Sequence, residues 1–150
     1  MKEVKNKPCI SFFFMIIYFE NQTIWEEKEK RGLGFMIKKI KKEVGCSFKE
    51  NIQYMDQTLP VEKSFDIIRR EMEIGGKESV FYYIDGFIKD EAMLKIMDSF
   101  LSITAEDLPQ DAETFSKQKI PYVEVDVLKC FDDILRNVLS GTAVEFCVVL

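Results

Sequence analysis

Few residues in this chain have the type and spacing to do chemistry. Gly75-Gly76-Lys77 is the nearest approach to a phosphate-binding loop. It lacks the G-x-x-x-x-G-K-[ST] spacing and lies between two strand-like runs, not at the start of a helix, so a tight turn is the reading it favours. Glu106, Asp107, Asp111 and Glu113 could surround a divalent cation, but neither the spacing nor the glycine of an EF-hand loop is present, and a solvated acidic loop is the expectation. Asp132-Asp133 has the look of a carboxylate pair, yet adjacent helical residues diverge and cannot readily share a proton. Ser116 and Ser140 have no base near them in sequence. The chain contains no histidine, which removes the usual neutral-pH proton carrier and the commonest zinc ligand. Cys9, Cys46, Cys130 and Cys147 are scattered without a C-x-x-C pair, and reduced thiols are expected at all four. No catalytic, cofactor-binding or metal-binding residue is assigned, no ligand-binding residue can be named, and no cofactor is expected. An enzyme working through Asp, Lys or Tyr stays conceivable, with no constellation behind it.

The elements that would position such groups are clearer. Ile68, Met72 and Ile74 are apolar positions of one run, with Arg70 and Glu73 among them, and Phe81 to Ile84 is an almost unbroken apolar run. Gly75-Gly76 between them is a two-residue hairpin signal, since both positions can take positive φ. The first strand is expected half exposed and the second central. Ahead of the hairpin, Ser47-Phe48-Lys49-Glu50 fits a capping box for a helix from Phe48 to Leu59, stopped by Pro60. Behind it, Asp90 is placed to cap a helix with a broad stripe of Met93, Leu94, Ile96, Met97, Phe100 and Leu101. Residues 111–118 allow a short helix with Phe115 inward, and Pro121 to Val127 alternates as a third strand. Phe131, Ile134, Leu135, Val138 and Leu139 fit an amphipathic helix ended by Gly141, and Thr142 to Leu150 reads as a fourth strand. The order predicts an α/β fold of mixed α+β type: a small mixed sheet of about four strands with helices packed on it. The last helix, between two strands, suits a right-handed parallel crossover.

Length and charge set further bounds. The 150 residues suffice for one domain with a core, and 47% hydrophobic with 31% charged residues is a globular composition. The net charge of −5 is unevenly spread: residues 1–49 carry 11 Lys and Arg against 6 Asp and Glu, and the remainder carries 10 against 20. An acidic body is a poor partner for nucleic acid, whose binding rests on Lys and Arg at phosphates. Residues 1–47 form a basic and apolar leader, and residues 48–150 form the body. Cys9 to Phe19 follows three lysines without a small-x-small cleavage site, and is shorter than the ~20 residues of a membrane span. A buried strand, contact with a membrane surface and an unstructured leader stay open for it. Glu26 to Arg31 reads as a solvated charged face broken by Gly32-Leu33-Gly34, and Met36 to Val44 as a short basic amphipathic turn. Met36 is also a possible true start.

Phe65-Asp66-Ile67-Ile68-Arg69, Ile74-Gly75-Gly76-Lys77 with Tyr83-Ile84-Asp85-Gly86, Phe115-Ser116-Lys117-Gln118 and Leu139-Ser140-Gly141-Thr142-Ala143-Val144, in this order and spacing, resemble the N-terminal soluble region of the A subunit of GerA-type spore germinant receptors. The resemblance covers Phe48 to Val144. It implies a non-enzymatic soluble domain that serves nutrient-triggered germination by subunit assembly and signal transmission, or alternatively a domain that binds the nutrient itself. It implies B- and C-type receptor subunits as partners, together with the rest of the A subunit, and a spore inner membrane location through the family's C-terminal membrane domain. The chain by itself would be soluble and cytoplasmic. It stops soon after the S-G-T-A-V segment, and Glu145 interrupts that apolar strand, so a truncated piece, a shortened reading frame or a frameshift near Val144 is expected. Association is expected through an exposed edge at Thr142 to Leu150.

Overall fold

The computed structural model describes residues 12–17, 42–121, 125–141 and 143–148, with only the backbone described for 12–17 and 143–148. In chain order the elements are β1 (Phe12–Ile17), α1 (Phe48–Thr58), β2 (Ile67–Ile74), β3 (Lys77–Ile84), α2 (Asp90–Ser102), a single 3-10 turn (Ala105–Asp107), α3 (Ala112–Lys119), β4 (Val125–Val127), α4 (Phe131–Leu139) and β5 (Ala143–Val148). The expectations for residues 1–11 and 18–41, including the charged face, its glycine break and most of the basic turn, lie outside the described residues.

The β2–β3 ribbon forms where the glycine pair predicts it. Gly75 and Gly76 sit at φ 56° and 75°, which a side chain would resist, and Ile74 pairs with Lys77 across them. At Gly75 the fit is also tight, because a Cβ there would come within 2.6 Å of the Leu108 side chain. β3 is interior as expected, paired to β2 on one side and β5 on the other. Helices cover both of its faces, which explains its unbroken apolar run. Phe81 joins Ile74, Ile96, Phe100 and Phe115 on the side of α2 and α3. Val80 and Tyr82 join Met55, Phe131, Ile134 and Val138 on the side of α1 and α4.

Local signals place the helices, with two differences. α1 is capped by the Ser47 hydroxyl, which accepts from the Glu50 amide, and Leu59 is its buried C-terminal flank before Pro60. α3 is capped by Asp111, whose carboxylate accepts from the Thr114 amide at 2.8 Å, and Phe115 is buried. α4 buries Phe131, Ile134, Leu135 and Val138 and is followed by Gly141 at φ 87°. For α2 the expected Asp90 cap is replaced: Lys89 is the flanking residue, without a side-chain cap, and Asp90 is the first helical residue, where its charge still favours the helix dipole. The broad stripe on α2 is narrower than expected. Ile96, Met97 and Phe100 are buried, whereas Leu94 and Leu101 are 64% and 62% exposed, because the helix packs on the sheet through one face only.

The fold is mixed α/β, as expected, but the sheet is not mixed. Among the described residues every strand pairing is antiparallel, in the order β2-β3-β5-β1-β4. β1 enters between β5 and β4, so these two run parallel without touching, and the parallel connection predicted through α4 joins strands that are separated in the sheet by β1. The count of about four strands also differs. Three strands, β2, β3 and the three-residue β4, have described side chains, and β1 and β5 extend the order by their backbones. The described part of the third strand is Val125–Val127, and residues 122–124 of the Pro121 to Val127 alternation lie outside the description. The segment before α1 is tied to the start of α4: the Val44 amide donates to the Lys129 carbonyl, and the Phe131 amide donates to that of Lys42. Among the described residues no helix is long and apolar enough to cross a membrane.

Candidate functional site

The residues singled out for chemistry are dispersed, and the fold uses most of them locally. Gly75-Gly76-Lys77 is the ribbon turn, with no helix start beside it. In the acidic loop, Asp107 accepts from the Thr104 amide and hydroxyl and lies 3.8 Å from Lys119. Those Thr104 contacts, then Lys119, hold its carboxyl below the ordinary range. Asp111 is lowered by the Thr114 amide and hydroxyl. Both carboxylates therefore act as caps, and among the described residues no group of His, Cys, Asp and Glu is arranged to hold a metal ion. Asp132 and Asp133 occupy the first turn of α4, where their charge suits the helix N-terminus. The Ser116 and Ser140 hydroxyls donate to the Glu113 and Asn137 carbonyls of their own helices. Cys130 is a free thiol, but Cys46 is disulfide-bonded, which corrects the expectation of four reduced thiols.

A different constellation joins α1 to the ribbon. Strand parity sets it up: Ile67, Arg69, Glu71 and Glu73 face α1, while Ile68, Arg70, Met72 and Ile74 face α2. The Tyr82 hydroxyl, on a fully buried residue opposite Arg69, donates to Asp56 Oδ1 at 2.7 Å. The same oxygen accepts from Arg69 Nε at 2.9 Å, and Arg69 Nη1 donates to Glu71 Oε1 at 2.7 Å. Burial, and then the Asp56 carboxylate, push the Tyr82 phenol well above the ordinary tyrosine range. For Arg69, burial works against the charge, but the contacts to Glu71 and Tyr82 and the charge of Asp56 outweigh it and keep the guanidinium protonated.

Beside this network lies a cleft of about 800 Å³. Its walls are α1, with Lys49, Gln53 and Asp56, and β2, with Arg69, Glu71 and Glu73. Val80 and Glu78 of β3 and Glu62 of the loop between α1 and β2 also line it, so five carboxylates stand against two cations. Such a lining favours a cationic or hydrogen-bonding guest over a phosphate or a carboxylate.

Sequence reasoning missed this site because its members come from three elements, with Asp56 and Arg69 13 positions apart and Asp56 and Tyr82 26 apart. One signal was available. Arg69, Glu71 and Glu73 repeat at period 2, so a whole face of β2 is charged at the strand's distal half.

The stretch that forms the network and the ribbon coincides with a family model. Residues 53–148 match the model of the Bacillus/Clostridium GerA spore germination protein. The chain belongs to this family. The matched stretch runs from within α1 to the end of β5 and so contains Asp56, Arg69, Glu71 and Tyr82. No curated protein and no solved structure matches the chain. Membership of the GerA family supports a role in spore germination.

Proposed function

We propose that this chain is a non-enzymatic soluble domain of a germinant receptor A subunit, acting by subunit assembly and signal transmission. The family match over residues 53–148 carries this reading. It is supported by the use to which the reactive side chains are put: Asp107 and Asp111 cap helices, and Ser116 and Ser140 bond to their own helices. The partners proposed are the B- and C-type subunits and the remainder of the A subunit, with a place at the spore inner membrane as part of the whole receptor. Co-purification of the chain with those subunits is the test. Retention of the B- or C-type subunit is expected, and loss of both on washing at physiological salt would count decisively against assembly.

One correction bears on where contact is made. β5 was expected to offer a free edge at Thr142 to Leu150, but it is paired to β3 on one side and β1 on the other. That surface is therefore not proposed again.

A second reading, direct nutrient binding, is favoured by the cleft between α1 and β2. Thermal denaturation with amino acids, nucleosides and sugars tests it, since a ligand at a hundred times its Kd adds about 2.7 kcal/mol. Absence of any shift across that set would remove this reading and leave the assembly reading intact.

A further inference from the structure

With β5 interior, the sheet among the described residues has two outer strands, β4 and the eight-residue β2. The phase of the β2 ladder can be read from one bond. The Asp85 amide donates to the Asp66 carbonyl at 2.7 Å, and alternation along an antiparallel pair then makes 68 with 83, 70 with 81, 72 with 79 and 74 with 77 the hydrogen-bonded couples. Ile67, Arg69, Glu71 and Glu73 consequently turn their N–H and C=O groups away from β3. No strand among the described residues pairs with them. The side chains of the last three stand over the cleft, whose other wall is α1. An unpaired edge and a lined groove thus run side by side, the arrangement by which a sheet accepts an added strand and reads alternate side chains.

We propose that the outer edge of β2 is a docking site for an extended segment of a partner protein with Lys or Arg at alternate positions and apolar residues between them. The proposal rests on the assembly reading only in taking a protein as the partner. Residues directly opposite one another in a ladder share a face, so those facing Glu71 and Glu73 enter the acidic cleft and their neighbours lie on the side of half-buried Met72. Charge chooses between the occupants. A second copy of this chain could lay Arg69 opposite Glu71 of the first, but each copy would add a cleft of five carboxylates against two cations to the same junction. A basic segment reduces that excess of negative charge, and a copy doubles it. Charged residues on an edge also guard against indiscriminate pairing. Here that guard is mainly of one sign on the cleft side, which selects by sign and does not forbid pairing altogether.

The test uses the full 150-residue chain, isotopically labelled, and an acetylated and amidated Lys-Val alternating octapeptide, with a Glu-Val octapeptide as control. Hydrogen exchange is expected to slow on adding the basic peptide at the amides of Arg69, Glu71 and Glu73, with Arg70 and Met72 already protected by β3. Affinity should fall with salt, and the acidic peptide should give no effect. Glu73→Pro removes an outward N–H without touching the ladder to β3, a position where proline is tolerated. It should weaken the peptide on the order of tenfold, as expected for one or two lost bonds, while Glu73→Gln weakens it less. Unchanged melting temperature and circular dichroism establish that the proline variant folds. Binding without protection at the three outward amides overturns the proposal, as does protection that appears with protein concentration alone, which marks a second copy. If the receptor subunits are retained equally by wild type and Glu73→Pro, assembly stands and the β2 edge does not carry it.

Discussion

The two faces of the sheet are built from the same strands and do different work. Toward α2 and α3 the ribbon presents Ile74 and Phe81, closed over by Ile96, Phe100 and Phe115. The ring centroid of Phe100 lies 6.0 Å from that of Phe81 and 6.1 Å from that of Phe115, within the range of favourable tilted aromatic contact. Toward α1 the ribbon presents Val80, Tyr82 and Ile67, packed against Met55, Leu59, Phe131 and Val138. Beyond them it passes into the Arg69 network and the open cleft. The first face concentrates stabilisation in dry packing, which tolerates no change of volume. The second packs α1 and α4 through an apolar core of its own and adds to it, at the rim, a few polar bonds, which are worth less and are sensitive to solution conditions.

The sharpest way to break this contrast is to hollow the dry face. Phe100→Ala removes a fully buried ring and should destabilise by about 3–5 kcal/mol, the range for such truncations. Urea unfolding followed by circular dichroism measures it. A loss no greater than that of a surface substitution would show that the aromatic layer is not the main support of the fold.

The network should give a smaller effect with a pH signature. Asp56→Ala leaves the buried Tyr82 hydroxyl and Arg69 without their shared acceptor, a loss of about 1–3 kcal/mol. The Tyr82 phenol holds its proton more tightly in the folded chain than in the unfolded one. Its contribution is thus complete below the unfolded tyrosine pKa of about 10 and declines as pH rises above it, because the unfolded state then releases a proton that the folded state keeps. Tyr82→Phe should flatten this alkaline decline. The lowered carboxyls of Asp107 and Asp111 act at the other end: their contribution is present above the ordinary carboxylate pKa and is lost as pH falls below it. Melting temperatures from acid to alkaline pH separate the two, and an alkaline slope unchanged in Tyr82→Phe would remove Tyr82 from the account.

How much of this was legible in the chain follows from how local each signal is. The ribbon was legible because Gly75-Gly76 fixes turn and register together, and α4 because its apolar spacing and Gly141 agree. Sheet order was not, since β1 reaches its place between β5 and β4 from more than a hundred residues away and nothing in a strand's own alternation names its neighbours. The start of α2 lies one residue from where Asp90 suggests a cap, and Leu94 and Leu101 are exposed although they extend its apolar stripe, because a stripe on a helix does not say how wide its partner surface is. The network was invisible for a related reason. Asp56 looks like any solvated helical aspartate until α1 is laid across the ribbon and brings it to Tyr82 and Arg69.

The smallest expected effect has the most informative sign. Ser79 lies on β3 opposite Met72, on the face turned toward α2, and is 1% exposed. Its hydroxyl has no hydrogen-bond partner among the described residues. A buried hydroxyl loses its hydration on folding and gains nothing back here, so its removal costs no bond. Ser79→Ala should therefore leave stability unchanged or raise it by up to about 1 kcal/mol, the opposite of most buried substitutions. Measured by the same urea titration as Phe100→Ala, a gain sharpens the contrast by showing that the dry face is better without polar atoms. A loss of more than about 1 kcal/mol would mean that the hydroxyl is bonded after all, and that this face is not purely apolar where β3 meets β5.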